Sequence, residues 1–345
     1  MNMSQLQWGL IITGAVVLLG VLAQNLWLAH RNRPRQPVSS PAGDEDMLEI
    51  REPKLDDPAF EDTGFALPVL EKKPALDALI DVIALILLEA PVAGEVLLAA
   101  MPPTRRVGSK PFTVEGLNEL SQRWEFPQAG QRYGQLQAGI QLANRSGALN
   151  DIEYSEFVIK TQTFCDAVGG TPDFPEMRQE INRARELDQF ASDHDAQLGF
   201  VLRARRAAWS ISYIQQMAAK LGFVPGAIAG RMVLPAGQPG LPPVLGLSFD
   251  AQAALAEDPT QSALRELTLN LDVVQVDRSE HAFERMRDIA TALAGEMDAV
   301  VTDDDGVAVS AEAMDVIASE LAQLYDTLAQ RELAAGSSLA RRLFS

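Results

Sequence analysis

From Met1 to Ala29 the chain has no charged side chain, and residues 8–30 read WGLIITGAVVLLGVLAQNLWLAH. As a helix, the interval from Trp8 to Trp27 is about 28 Å long, close to the hydrocarbon thickness of a bilayer. Trp8 and Trp27 stand where an aromatic belt would put them. Arg31, Arg33 and Arg35 crowd one end only, and the positive end of a span stays in the cytoplasm. The pattern predicts a single transmembrane helix over 8–30 with everything after it on the cytoplasmic side. A cleaved signal peptide fits less well, because no basic residue precedes the run and no small-x-small site follows it.

Past the arginines the chain turns acidic. With 47 Asp and Glu against 29 Lys and Arg, the net charge is −18, which argues against nucleic acid because phosphate contacts need clustered basic side chains. The same charge argues against lying flat on anionic lipid, so the span has to do the membrane work. One cysteine, Cys165, rules out an internal disulfide and suits a reducing compartment. Residues 31–75 contain prolines 34, 37, 41, 53, 58, 68 and 74 and show no apolar periodicity, which predicts a disordered acidic linker. As a flexible coil, about 45 residues reach roughly 35 to 40 Å.

The region 191–330 alternates strands and helices. QLGFVLRA predicts a strand, and Ile211, Ile214, Ala218 and Leu221 keep helical spacing up to Gly222. AIAGRMVLP and PPVLGLSF read as strands around a Gly/Pro loop. LTLNLDVVQV alternates, so Leu267, Leu269, Leu271 and Val273 share one side while Thr268, Asn270 and Asp272 share the other. Ser279 is expected to cap a helix bearing the stripe Phe283, Met286, Ala290, Leu293 and Met297. DAVVTDDDGVAVS reads as a hairpin turning at Asp305 and Gly306, and Ser310 opens a last helix with Met314, Ile317, Leu321, Leu324 and Leu328 on one face. The order β-α-β-β-β-α-β-β-α predicts an α+β fold, an antiparallel sheet with helices on one face.

Residues 76–190 read as a looser version of the same α+β plan. IDVIALILLEA is a strand, AGEVLLAAM a short helix, KPFTVEGL and YGQLQAGIQLA strands, and DIEYSEFVIKTQTFCDAVGG and PEMRQEINRARELDQF helices. Setting Phe157 on Phe283 also sets Gly169 on Gly295, which is either a divergent duplication or the likeness any two α+β halves share. Residues 331–345 are expected as a flexible tail.

No pattern argues for turnover, cofactor or metal. His30, His194 and His281 have no metal-ligand spacing to a second His or Cys. Asp303, Asp304 and Asp305 precede Gly306 like the start of a calcium loop, yet the twelfth position is Met314 and not Glu. Cys165 beside Phe164 and Ala167 reads as a small core residue. G-x-S-x-G, P-loop and G-x-G-x-x-G signatures are absent from the sequence. The chain is therefore not expected to be an enzyme.

The plan of one span, an acidic linker and a C-terminal β-α-β-β-β-α-β-β-α domain resembles the ZipA family, bacterial membrane anchors of the FtsZ division ring. The residues that carry the resemblance are YIQQMAAKLGFVPGAIAG, VLGLSFD and FERMRDIATALAGEMDAVVTDDDGVAVSAEAM, in that order. It implies a single-pass protein of the cell inner membrane that contacts inner-membrane lipid and works in cell division and septum formation. Its C-terminal domain would hold the C-terminal tail of FtsZ on the uncovered sheet face and so tether the Z ring. Strand periodicity leaves Thr268 and Asn270 on that face, and pairing by the family pattern adds Phe200 and Leu202, with Ile228 and Met232 from the second strand. The family linker is usually longer and rich in Pro and Gln, residues 76–190 are an addition, and the family groove is apolar where Thr268, Asn270 and Asp272 stand here. The alternative is an anchored interaction or oligomerisation module for another divisome or envelope protein.

Overall fold

The computed structural model describes residues 76–250 and 263–345. They fall into two compact units, one of residues 76–193 with 342–345, the other reaching from 194 to 341. The span read over 8–30, with Trp8, Trp27, Arg31, Arg33 and Arg35, and the linker read over 31–75 lie outside the described residues. Among the described residues no helix is long and apolar enough to cross a membrane.

The first unit runs β1 (Asp81–Ala93), α1 (Gly94–Ala100), β2 (Arg106–Val107), β3 (Lys110–Asn118), β4 (Trp124–Glu125), β5 (Arg132–Gln141), β6 (Ala143–Asn144), β7 (Gly147–Ala148), α2 (Asp151–Val168), β8 (Gly170–Asp173) and α3 (Met177–His194). Its main sheet is antiparallel in the order β2-β3-β5-β1-β8, with β4 beside β3. Strand alternation sends Val82, Ala84 and Ile86 to the helix-covered side, where all three are buried. Phe157 of α2 meets Phe112 of β3 edge-on, with ring centroids 6.1 Å apart. The start of α2 is closed by a reciprocal box: Asn150 Oδ1 accepts from the Ile152 and Glu153 amides, and Glu153 accepts from the Asn150 amide.

The second unit runs β9 (Gln197–Ala204), α4 (Ile211–Lys220), β10 (Val224–Pro225), β11 (Arg231–Leu234), β12 (Leu245–Ser248), β13 (Glu266–Asp272), α5 (Ala282–Met297), β14 (Ala299–Thr302) and α6 (Ala311–Gln330), followed by α7 (Ser338–Leu343), which crosses into the first unit. Its antiparallel sheet has the order β10-β11-β12-β13-β9-β14. Set beside the first sheet, β11-β12-β13-β9-β14 repeats β2-β3-β5-β1-β8 strand for strand. The finer pairing differs from the one read from sequence. Gly169 closes α2 in the left-handed region (φ 72°), and Asp298, not Gly295, does the same for α5 (φ 53°). Gly295 sits inside α5, so Tyr154 occupies the place of Phe283, and Phe157 that of Met286.

Two further expectations need correction. Ser279 does not cap α5: it lies in a 3-10 turn, Arg278–Glu280, where its hydroxyl donates to Asp277 Oδ1 (2.6 Å), and α5 starts behind His281 at φ 48°. The hairpin after β14 has no second strand, only the bridge Thr302–Ala308, because the Asp303–Gly306 turn is closed by its own bonds, Gly306 N to Asp303 O and Val307 N to Asp303 Oδ1.

Other readings stand. The stripe Phe283, Met286, Ala290, Leu293 and Met297 is buried, and Ser310 caps α6 by accepting from the Ala313 amide (3.2 Å). Met314, Leu321 and Leu328 of α6 are buried. Leu321→Ala should therefore lower the stability of this unit by about 2 to 5 kcal/mol, read as a drop in the thermal midpoint.

Residues 331–345 are ordered and not a loose tail. Leu333, Leu343 and Phe344 are buried apolar side chains that need cover. In the first unit, Gln141 Nε2 donates to the Arg342 carbonyl (2.8 Å) and the Arg145 amide to the Ser345 carbonyl (3.2 Å). The Arg342 guanidinium grips both oxygens of the buried Asp81 carboxylate, at 2.6 and 3.0 Å.

Candidate functional site

The uncovered face of the second sheet is set by register. Leu267 stands opposite Leu202, Leu269 opposite Phe200 and Leu271 opposite Leu198. Residues directly opposite on an antiparallel ladder project to the same side, so Phe200 and Leu202 join the leucines against the helices. Both are buried, and Phe200 meets Phe283 of α5 at 6.3 Å between ring centroids. Met232 stands opposite Leu247, which stands opposite Leu269, and is buried on the same side. The placement of Phe200, Leu202 and Met232 on the outer face is therefore overturned: an apolar alternation has to meet the core. Ile228 lies in the turn before β11, 57% exposed.

Thr268 and Asn270 do face outward, as read from sequence, and the structure brings Val201, Gly199, Gly246 and Ser248 beside them. Asn270 Nδ2 donates to Ser248 Oγ (3.0 Å), and Thr302 Oγ1 donates to the Val201 carbonyl (3.2 Å). A side chain added at Gly199 would come within 3.5 Å of Asp304 Oδ1, which shows that the acidic turn leans over this face. Arg203 borders the same turn at Gly306, 3.3 Å away by the same construction. Among the described residues the side chains on this face are Thr268, Asn270, Ser248 and Val201, with glycine at 199 and 246, so it offers a peptide hydrogen bonds and few apolar contacts.

The first unit has the contrary surface. On its uncovered face Leu85 and Leu87 are 49% and 59% exposed. Their neighbours across the sheet are Gln137 and Gln135 on β5, Glu115 and Leu117 on β3, and Asp173 and Thr171 on β8. Sequence reading missed this surface, since the run VIALILLEA hides which leucines face out. The alternation of Gln135, Gln137 and Gly139 on β5 was the signal.

Cys165 is fully buried, and burial pushes its thiol up to about 11, so it is a poor nucleophile at neutral pH. Among the described residues no group of three or more His, Cys, Asp or Glu is placed to hold a metal ion.

Residues 255–320 match the family model of ZipA, C-terminal FtsZ-binding domain. The match lies within the C-terminal unit and spans 66 of the 345 residues. The matched stretch takes in β13, α5, β14 and the first half of α6, which are the elements that separate the covered from the uncovered face. No curated protein matches the chain.

Proposed function

We propose that the chain is a cell-division adaptor whose C-terminal unit binds the C-terminal tail of FtsZ and whose N-terminal span ties the Z ring to the cytoplasmic side of the inner membrane. The observation that carries this reading is the ZipA-family match over β13 to α6, on a sheet whose other face is free to receive a peptide. The apolar, charge-free 8–30 segment followed by Arg31, Arg33 and Arg35 supports the tether. Adaptor work needs no chemistry of its own, only a grip and an anchor.

Thr268 and Asn270 lie at the centre of the proposed tail site, with Ile228 at its border. Because apolar anchors carry most of the energy when a helix docks, this polar face should hold the tail with modest affinity. The same polarity favours a second reading, an anchored module for another divisome or envelope protein. Pull-down of FtsZ and of FtsZ lacking its tail by the full chain separates the two. Retention of FtsZ and loss of the tailless form is expected; equal recovery of both, or of neither, refutes the tail reading.

A further inference from the structure

The uncovered face of the first sheet carries an apolar lane of a kind the second sheet lacks. We propose that this lane docks one amphipathic helix of another protein, apolar along one side and basic at its ends. The chain would then hold a second partner besides the one its C-terminal unit binds.

Register gives the lane its composition. Trp124 of β4 stands opposite Leu117 of β3, Leu117 opposite Gln135 of β5, and Gln135 opposite Leu87 of β1, so these side chains form one row across the sheet. Leu85 belongs to the adjacent row, with Gln137, Glu115 and Asp173. Trp124 and Leu117 are half-buried, and Leu85 and Leu87 are exposed. An indole and three leucines in two adjacent rows make a patch of anchors and not a scatter of single apolar residues.

Both long sides of the lane are closed. The row beyond Leu85 holds Ile83, Gly139 and Thr113, and Leu76 lies on it: a methyl added at Gly139 would fall 2.2 Å from Leu76 Cδ2. Glu115 on the floor is also engaged, accepting from the Leu76 amide (3.2 Å) and from Gln137 Nε2 (2.8 Å). On the other side, β1 and β5 lose register after Leu87. Two rows stay open, running from β4 to β8.

These dimensions select a helix. Strands lie about 4.8 Å apart, so the four steps from β4 to β8 span about 19 Å, and the two rows are about 7 Å apart. A helix is about 10 Å wide and rises about 1.5 Å per residue, so one helix of about 13 residues fills the lane. Its apolar side chains, three and four residues apart, can meet Leu85 and Leu87 on β1 and, about two turns on, Leu117 and Trp124.

Charge selects the sign of the partner. The charged side chains in the two rows are Glu115 and Asp173, and Glu89 adds an exposed carboxylate just past Leu87. Arg132, at the start of β5, is turned to Glu119 (3.6 Å) and to the Pro91 carbonyl (2.9 Å). An acidic lane on a chain of net charge −18 disfavours both a second copy of the chain and an anionic lipid surface. It favours a helix with Lys or Arg at its ends, where Asp173 and Glu89 can meet them.

The test is fluorescence anisotropy with the full chain in phosphatidylcholine nanodiscs, empty discs serving as the blank. The probe is a fluorescein-labelled synthetic helix of about 14 residues with leucines along one stripe and lysines at both ends. Saturable binding is expected, weakened about tenfold by exchanging the lysines for glutamates and about tenfold by Leu87→Ser. Leu87→Ser should keep the thermal midpoint, being a surface change, and Asn270→Glu on the second sheet should leave this affinity unchanged. No binding above the blank, equal binding of the lysine and glutamate helices, an affinity untouched by Leu87→Ser or lowered by Asn270→Glu, or a dimer in sedimentation that Leu87→Ser dissociates would overturn the proposal.

Discussion

Phe200→Glu unfolds the C-terminal unit. The side chain is 3% exposed, stands opposite Leu269, meets Phe283 edge-on and belongs to the buried apolar cluster of this unit. Burying an unpaired charge, together with the lost aromatic packing, costs roughly 4 kcal/mol or more, a large share of the stability of a domain. The cooperative melting transition of this unit should be lost or strongly lowered by circular dichroism. Asn270→Glu, one residue along β13 from the leucine that Phe200 opposes, points outward and should change stability by no more than about 0.5 kcal/mol. A Phe200→Glu protein with a wild-type midpoint would show that the face assignment is inverted.

Arg342→Met should destabilise the first unit by about 3 to 5 kcal/mol, because it strips the cation from a buried carboxylate. Burial raises the pKa of Asp81 above its ordinary 3.8, and the Arg342 charge and hydrogen bonds pull it back in part. A carboxyl with a raised folded pKa contributes stability below its unfolded value and loses it as pH climbs through the folded one. Removing the guanidinium raises that pKa further, so the loss in Arg342→Met should be smallest below about pH 4 and grow toward neutrality. Asp81→Asn added to Arg342→Met should flatten this dependence in chemical denaturation. An Arg342→Met loss that is equal at all pH values would show that the pair is not the source.

Most elements could be read from hydrophobic period alone, since a leucine every second residue in β13 and a stripe such as Phe283, Met286, Ala290 and Leu293 in α5 leave one side to bury. Faces were legible where a strand carries its own polar alternation. Thr268 and Asn270 against Leu267 and Leu269 is such a case. Register was not, because nothing local in QLGFVLRA says which residue of β13 stands opposite Phe200, and a family pattern assigned it to the wrong side. The outward leucines of β1 were hidden for a related reason: both faces of VIALILLEA are apolar, so only its partner β5 discloses the pleat. The ends of helices depended on backbone, as with Asp298 taking the left-handed position that Gly169 takes in the first unit. The C-terminal residues were misread because Leu333, Leu343 and Phe344 are too widely spaced to make a periodic signal, while the cation that Asp81 needs lies 261 residues away in sequence.

The most direct test of the adaptor is a fluorescence-anisotropy titration of an FtsZ C-terminal tail peptide with the full chain and with its Asn270→Glu variant. Saturable binding to the wild-type chain, weakened about tenfold in Asn270→Glu with an unchanged melting midpoint, is the expected result. No binding to the wild-type chain, or the same affinity in both proteins, would contradict it.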